Sequence, residues 1–421
     1  MIRDSDIIIF SLCRWDAPIS CTSFSLAKEF AKNNRVFYID HPFSIKDFLS
    51  VHKTSSVQKR KEALLNGKNI YTKDAGLPGN LTMVTPKLTV PINFLPPGFL
   101  YNTLSKRNDA IVFNTIRRII QDFKIKEFIY FNAFDPYFCR DFPSDIKPLK
   151  KVYQSVDDLT QVDYTAKHGT RLEEDIIRKF DVTLTTSREL QRLKSRYSSQ
   201  VYFHPNAVDV SIFQKALTEK FSMPVELLSA KGKKIIGYTG NIESRIDYQL
   251  LKEVITLHQD KIIAMVGPVT TTEHKTIGLS DYPNVIMVGP KKIYELPQYL
   301  QYFDCTLIPF KKNTLTKSIY PLKINEYLAA GRPVIATDFS EDIKGFKDVI
   351  YIGSNTAEFV QLINKAIQEN NDQKINARIQ VANSNTWTAR VEAFWNILEG
   401  NYIDSSQPPK NATPAYQLIN D

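Results

Sequence analysis

Lys323 and Glu326 stand three residues apart in the run SIYPLKINEYLAAGRPVIAT (318–337). On a helix that spacing puts both side chains on one face and leaves Leu322, Tyr327 and Leu328 to pack elsewhere. A cation and a carboxylate beside a helix N-terminus can hold a molecule that carries phosphates and hydroxyls. The plain alternative is an ion pair on a solvated helix. Three further carboxylates, Asp16, Asp157 and Asp158, fall just after predicted strands, where a general base would sit. Capping a helix or a loop is the commoner use of such an aspartate, more so for Asp16 and Asp158 than for Asp157. His41, His168 and His204 are alternative bases, although a histidine near a strand end is often structural. Cys13, Cys21, Cys139 and Cys305 are scattered, with no CxxC and no histidine at zinc spacing, which predicts reduced thiols, mostly in cores.

These groups need elements to hold them. Pro321 suits a first helical turn because its missing N–H would be unpaired there. Gly331 can close that helix, Pro333 prevents its return, and 334–337 reads as a buried strand. At the other end of the chain, 6–11 (DIIIFS) reads as a buried parallel strand. A loop over 12–21 follows, with Arg14, Trp15 and Asp16, then a helix capped by Thr22 or Ser23, then a strand over 35–40. That is a βαβ unit, whose ligands sit beyond the carboxyl ends of the strands. There is no G-x-G-x-x-G, so no dinucleotide site is expected.

Residues 41–110 read as irregular, broken by Pro78, Pro86, Pro91, Pro96 and Pro97, and 90–101 (VPINFLPPGFLY) is too proline-rich for a core helix. Strands are expected over 127–131, 151–154, 181–186 and 201–204, with helices over 171–180 and after Ser187. A polar linker spans 214–232. A second βα series then places strands near 234–239, 262–266, 285–288, 305–309, 334–337 and 349–352. A last helix covers 386–399, and 402–421 reads as a disordered tail.

The chain of 421 residues is long enough for two domains, and its 43 % apolar and 24 % charged residues are those of a globular protein. No run of eighteen apolar residues and no signal-peptide layout is present, which predicts a cytoplasmic protein without a membrane span. The net charge of +9 is local: residues 51–126 hold 13 Lys and Arg against four acids, so this segment carries the whole excess. An anionic partner follows, either a membrane surface or a lipid diphosphate. Nucleic acid is the weaker choice, because the interleaved glycine-aromatic RNA signatures are missing.

The pattern P-x-K-x-x-E-Y-L-A-A-G-x-P-V-I-A-T over 321–337 resembles the donor-binding segment of GT-B glycosyltransferases, specifically family 4 (glycosyl transferases group 1). HPNAVDVSIF (204–213) is similar to the P-N-G-V-D-x-x-x-F stretch that closes the family's first domain, with Ala207 for the glycine. VIMVGPKKIYELPQYLQYFDCTLIPF (285–310) resembles its nucleobase-facing segment. The resemblance covers most of the chain, strongly over 320–337 and weakly over 41–130.

It implies an α/β GT-B fold, two Rossmann-like domains facing each other across a cleft. The first, 1–213, would bind the acceptor, 214–232 would be a linker, and 233–385 would bind the nucleotide sugar. A helix over 386–401 would cross back to the first domain. Glu326 would hold the ribose hydroxyls. Gly240, Asn241, Arg245, Gly289, Ile293, Ser318, Tyr320, Pro321, Leu322 and Lys323 would complete the donor site, with Lys323, Arg245 and backbone amides facing the diphosphate. Arg14, Trp15, Phe94 and Phe99 would lie on the acceptor and membrane side. The implied activity is transfer of a sugar from a nucleotide diphosphate sugar, a UDP-sugar first, to a glycan or lipid-linked glycan of a bacterial-type surface polysaccharide. The protein would be peripheral at the inner face of the plasma membrane. No cofactor and no metal are expected, since no D-x-D pair stands at the nucleotide site. The family usually has a glutamate where this chain has Ser318. Retention of configuration stays the expectation, with inversion through a base such as Asp157 close behind. A GT-B nucleotide-sugar epimerase and a non-catalytic binding protein are the other readings.

Overall fold

The computed structural model describes residues 2–17, 21–52, 54–161 and 167–402. The tail expected at the C-terminus lies outside them, apart from Tyr402.

Short apolar runs form strands buried on both faces, which requires helices on both sides of a parallel sheet. Ile7, Ile8, Ile9 and Phe10 are all fully buried. The first sheet holds β1 (Asp6–Ser11), β2 (Val36–Asp40), β3 (Tyr71–Thr72), β4 (Leu81–Val84), β5 (Phe128–Ala133), β6 (Lys150–Ser155), β7 (Val182–Thr185) and β8 (Val201–Phe203). Their order is β3-β4-β2-β1-β5-β6-β7-β8. Only β3 runs antiparallel to its neighbour, and Ile8 of β1 sits between Phe37 and Tyr130. The second sheet holds β9 (Ile235–Thr239), β10 (Ile262–Val266), β11 (Val285–Gly289), β12 (Cys305–Ile308), β13 (Val334–Thr337) and β14 (Tyr351–Gly353). It is parallel throughout, in the order β11-β10-β9-β12-β13-β14. Chain order reverses beside β1 and beside β9, and a crevice for a ligand opens at the carboxyl ends of such strands.

The helices that matter for the site are α1 (Thr22–Phe30), α2 (Ile45–Val51), α3 (Phe99–Asp122), α4 (Gly169–Lys179), α5 (Arg188–Lys194), α6 (Leu322–Ala329) and α7 (Trp387–Leu398). Ser187 caps α5 as expected, accepting from Leu190 N. The last helix does return to the first sheet: Phe394 and Trp395 of α7 meet Phe30 of α1 with ring centroids 4.8 and 5.9 Å apart.

Three expectations are corrected. Helices and strands take up about half of residues 41–110, and the longest helix among the described residues, α3, starts in the stretch read as too rich in proline. Pro96, Pro97 and Gly98 precede its first turn, so they set its start and do not interrupt it; Val112, Ile116 and Ile119 then bury one face. The span 214–232, expected as a polar linker, is not polar throughout: it holds helix Lys215–Thr218 and 3-10 helix Val225–Ala230, and Ala216, Leu227 and Ala230 are buried in the second core. Finally, Cys21 and neither Thr22 nor Ser23 is the N-cap of α1, without a side-chain cap bond.

The two halves touch through specific contacts. Asp342 accepts from the backbone N–H of Arg188 at the start of α5 (3.2 Å), Lys317 pairs with Glu189 (3.2 Å), and Tyr320 meets the ring of Phe203 (6.4 Å).

Candidate active site

The second crevice is built around the end of β9. The backbone turns at Gly240, with φ +118, a conformation glycine adopts without a Cβ penalty. Gly240 N donates to Val266 O (2.8 Å), holding the turn against β10. A Cβ at Gly240 would lie 2.2 Å from Lys323 Cε, so the absent side chain is also what lets Lys323 cross the turn.

Lys323 comes from α6, which has Pro321 as N-cap and ends before Gly331 at φ +66. Tyr327, one turn on from Lys323, accepts from Thr239 N (2.8 Å) and pins the helix to the end of β9. The Lys323 ammonium lies 5.5 Å from the Tyr238 ring and 5.8 Å from the Phe310 ring. Burial pulls it below the usual lysine range, with Glu326 opposing. Glu326 is 9 % exposed, and burial pushes its carboxyl up to about 7 against the pull of Lys323. Both shifts have the same origin. Two opposite charges are held in a poorly hydrated crevice, and a ligand bringing phosphates and hydroxyls would relieve the cost.

Arg245 stands in the next loop, paired with Glu243, its guanidinium 5.7 Å from the Phe310 ring. Asn241 offers its carbonyl to Tyr238 Oη (2.8 Å) and its side-chain oxygen to Thr270 (3.1 Å). Ser318 is 2 % exposed, and its hydroxyl has no hydrogen-bond partner. Gly289 ends β11 at φ +82, and Ile293, 38 % exposed, opens the 3-10 turn after it. Tyr320 and Pro321 are buried and Leu322 half-buried; the Tyr320 hydroxyl accepts from Asn325 Nδ2 (3.1 Å).

The three aspartates separate. Asp157, two residues beyond β6, is exposed to solvent in the cleft yet surrounded by protein. Burial raises its carboxyl, Arg245 opposes that, and Glu243 and Asp158 add to it. It is thus the candidate base that feels the charges of the opposite half. Asp158 is consumed locally, accepting from Thr160 N (3.0 Å) and Oγ1 (2.7 Å). Asp16 is clamped by both terminal nitrogens of Arg60 (2.7 and 2.8 Å) and by Ser56 (2.6 Å).

Arg60 also reaches Asp40 (3.1 Å) and is only 4 % exposed, so it belongs to a buried ion cluster and not to a basic surface. Trp15 lies beneath it, 5.2 Å from the guanidinium, and Arg14 stacks on Phe43 at 3.5 Å while donating to His41 O (3.1 Å). Both are half-buried and hold the loop after β1. Phe94 and Phe99 are 70 % and 88 % exposed in the first half. His168 and His204 are structural: each bonds a backbone carbonyl, and burial pushes His204 down to about 4. His41 differs. Its Nδ1 meets Asp135 Oδ2 at 2.6 Å, a partner the sequence did not single out.

Residues 233–369 match the family described as glycosyl transferases group 1. The match lies within the C-terminal half. It contains Gly240, Lys323 and Glu326. A Bacillus subtilis (strain 168) protein described as a glycosyltransferase of teichuronic acid biosynthesis, TuaH, is 26 % identical over 215 residues, half of this chain and 51 % of its own. The aligned region thus spans about half the length of that relative. Among solved structures, an α,α-trehalose-phosphate synthase (UDP-forming) from Burkholderia vietnamiensis has TM-score 0.67 at 9 % identity, covering 94 % of this chain and 99 % of its own. A structure described as trehalose-6-phosphate from E. coli bound with UDP-2-fluoro glucose has TM-score 0.65 at 11 % identity, covering 94 % of this chain and 99 % of its own. The two-sheet α/β architecture is therefore GT-B, as the sequence implied.

Proposed function

We propose that the protein is a glycosyltransferase that moves a sugar from a nucleotide diphosphate sugar, a UDP-sugar first, to a glycan or lipid-linked glycan of a surface polysaccharide. The observation that carries this reading is the cluster of Gly240, Lys323 and Glu326 at the end of β9 with Asp157 facing it from the other half. The group 1 match over Gly240, Lys323 and Glu326, the role described for TuaH and the UDP-sugar bound to the E. coli protein all agree with it.

In the proposed step Glu326 accepts from the ribose hydroxyls, while Lys323 and Arg245 face the diphosphate. Asp157 takes the proton of the acceptor hydroxyl. That oxygen bonds to the anomeric carbon as the carbon–oxygen bond to the diphosphate breaks. The electron pair leaves on the nucleoside diphosphate, stabilised by the two cations. Written this way the step inverts configuration. The accessible, upshifted carboxyl of Asp157 and the serine at position 318 favour it over retention, in which the leaving phosphate would take the proton. No metal is given a part, so a chelator should leave turnover unchanged.

The acceptor side is proposed to rest on an anionic bilayer. Ile45 and Leu49 of α2 are 47 % and 65 % exposed, and Phe94, Phe99 and Leu100 add exposed apolar area. Lys46, Lys59, Lys61, Lys106 and Arg107 are exposed in the same half. Such side chains contribute roughly 1 kcal/mol each near an anionic leaflet. No helix among the described residues is long and apolar enough to cross a membrane.

Incubation with a panel of UDP-sugars and a cellular lipid extract, read by mass spectrometry, tests the assignment. A new glycolipid is the expected product. Altered nucleotide sugar alone would mean an epimerase, and no turnover with any donor would mean a binding protein.

A further inference from the structure

The first half contains a cavity of about 390 Å³ at the carboxyl ends of β2, β4 and β5, roofed by α3. Its wall includes His41, Lys46, Phe94, Tyr101 and Lys167. We propose that this cavity binds the phosphate-bearing end of a sugar phosphate, the acceptor's head group.

Several independent features point to a ligand. Tyr101 is 1 % exposed, its ring stacks on His168 at 4.0 Å, and its hydroxyl has no hydrogen-bond partner. A buried hydroxyl left unsatisfied costs free energy, which a ligand atom would recover. His41 is oriented from below by Asp135, itself fully buried. His41 lines the cavity, and bonding at Nδ1 leaves Nε2 as the ring nitrogen for a ligand.

The chain goes to some length to place Asp135. Asn132 accepts from Asp135 N (2.9 Å) and donates to Asp135 O (2.8 Å), and Phe134 between them has φ +63. A non-glycine residue in the left-handed region is strained unless its surroundings impose it, as this clamp does.

The polar groups on the wall favour an anion. Tyr101 Oη can donate, Lys46 is exposed at the rim, and the Lys167 ammonium is held at Phe94 O (2.6 Å) with donors to spare. The one carboxylate among the described wall residues, Asp47, is already engaged by Ser44 N (3.2 Å) and Ser44 Oγ (2.8 Å) in the cap of α2. The volume is at the lower end of small-ligand pockets, room for a sugar phosphate and not for a lipid chain. Phe94, exposed at the rim, marks where a lipid tail would leave toward the apolar patch. A phosphate on a water-soluble sugar and one on a membrane lipid would use the same groups.

This proposal deepens the transferase reading, and its test is binding without donor, so the two can fail separately. Calorimetry with glucose 1-phosphate, with glucose, and with phosphatidylcholine vesicles carrying undecaprenyl phosphate compares the sources. Glucose 1-phosphate should bind and glucose should not; saturable binding only to the doped vesicles would assign the same site to a lipid phosphate. Tyr101→Phe removes one oxygen from a packed ring, and Lys46→Ala alters an exposed side chain, so both should fold. Tyr101→Phe should weaken phosphate binding roughly tenfold and Lys46→Ala several-fold, with UDP affinity and melting temperature unchanged. Equal binding of glucose and glucose 1-phosphate, no binding of any phosphate probe, or wild-type affinity in both variants would overturn it.

Discussion

The two sides of the cleft use charge in opposite ways. On the proposed donor side, Lys323 and Glu326 are three residues apart on one helix, and a single glycine, Gly240, admits the lysine to the turn. On the proposed acceptor side, charges meet through the fold: His41 and Asp135 are 94 residues apart, and Arg60 and Asp16 are 44 apart. A local arrangement can be read from spacing. A long-range one cannot, because the sheet order that creates it is not written in any window of sequence.

The sharpest way to separate the two sides is to remove the group that faces across them. Asp157→Asn should lower turnover by about 10²–10⁴-fold, the usual worth of a general base, and leave UDP affinity intact. Single-turnover kinetics beside a UDP titration would show this. A product with the donor's own anomeric configuration would instead make retention the better description.

The next effect belongs to the first half alone. Arg60→Ala leaves Asp16 and buried Asp40 without their cation. Breaking a buried pair in this way costs about 3–5 kcal/mol, so denaturant unfolding should show a markedly less stable protein. A change under 1 kcal/mol would mean that Arg60 is a surface charge after all.

A smaller, graded effect should come from pH on the donor side. Glu326 has its carboxyl pushed up to about 7 in the unliganded crevice. Ribose hydroxyls donate to the carboxylate form, so binding favours loss of that proton. Affinity for UDP-glucose should rise with pH below about 7, by at most tenfold per unit, and level off above it. Calorimetry in two buffers of different ionisation enthalpy should detect proton release near pH 6.5. Affinity that falls with rising pH would contradict the ribose role.

The weakest effect concerns the membrane face. Neutralising Lys59, Lys61, Lys106 and Arg107 together should reduce sedimentation with anionic liposomes at low salt, at roughly 1 kcal/mol per charge. Unchanged sedimentation, or none by the wild type, would remove the bilayer from the account.

How much could be read in advance follows the same division. All strands but β3 and β4 were legible because their apolar runs are short and bounded by polar turns, and the start and stop of α6 were legible from Pro321 and Gly331. Helix α3 was not, since Pro96 and Pro97 read as breakers when they precede its first turn. The basic excess over residues 51–126 was real in number but misleading in place. Arg60 is spent inside the protein, and Arg117 and Arg118 pair with Asp145 and Asp122. Composition counts charges without showing which already have partners. Asp135 and Tyr101 carried no local signal, because an aspartate after a strand and a tyrosine in a helix are ordinary. Only their placement around one cavity gives them a role.

The central claim is that the crevice at the end of β9 holds the nucleotide through Glu326. Titrating UDP-glucose into wild type and Glu326→Ala by calorimetry, with circular dichroism to confirm equal folding, tests it directly. Loss of charge-assisted ribose bonds should cost about 1.5–3 kcal/mol, a drop in affinity of roughly 10- to 150-fold. Equal affinity in the two proteins would reduce Glu326 to the partner of an ordinary helix-face lysine.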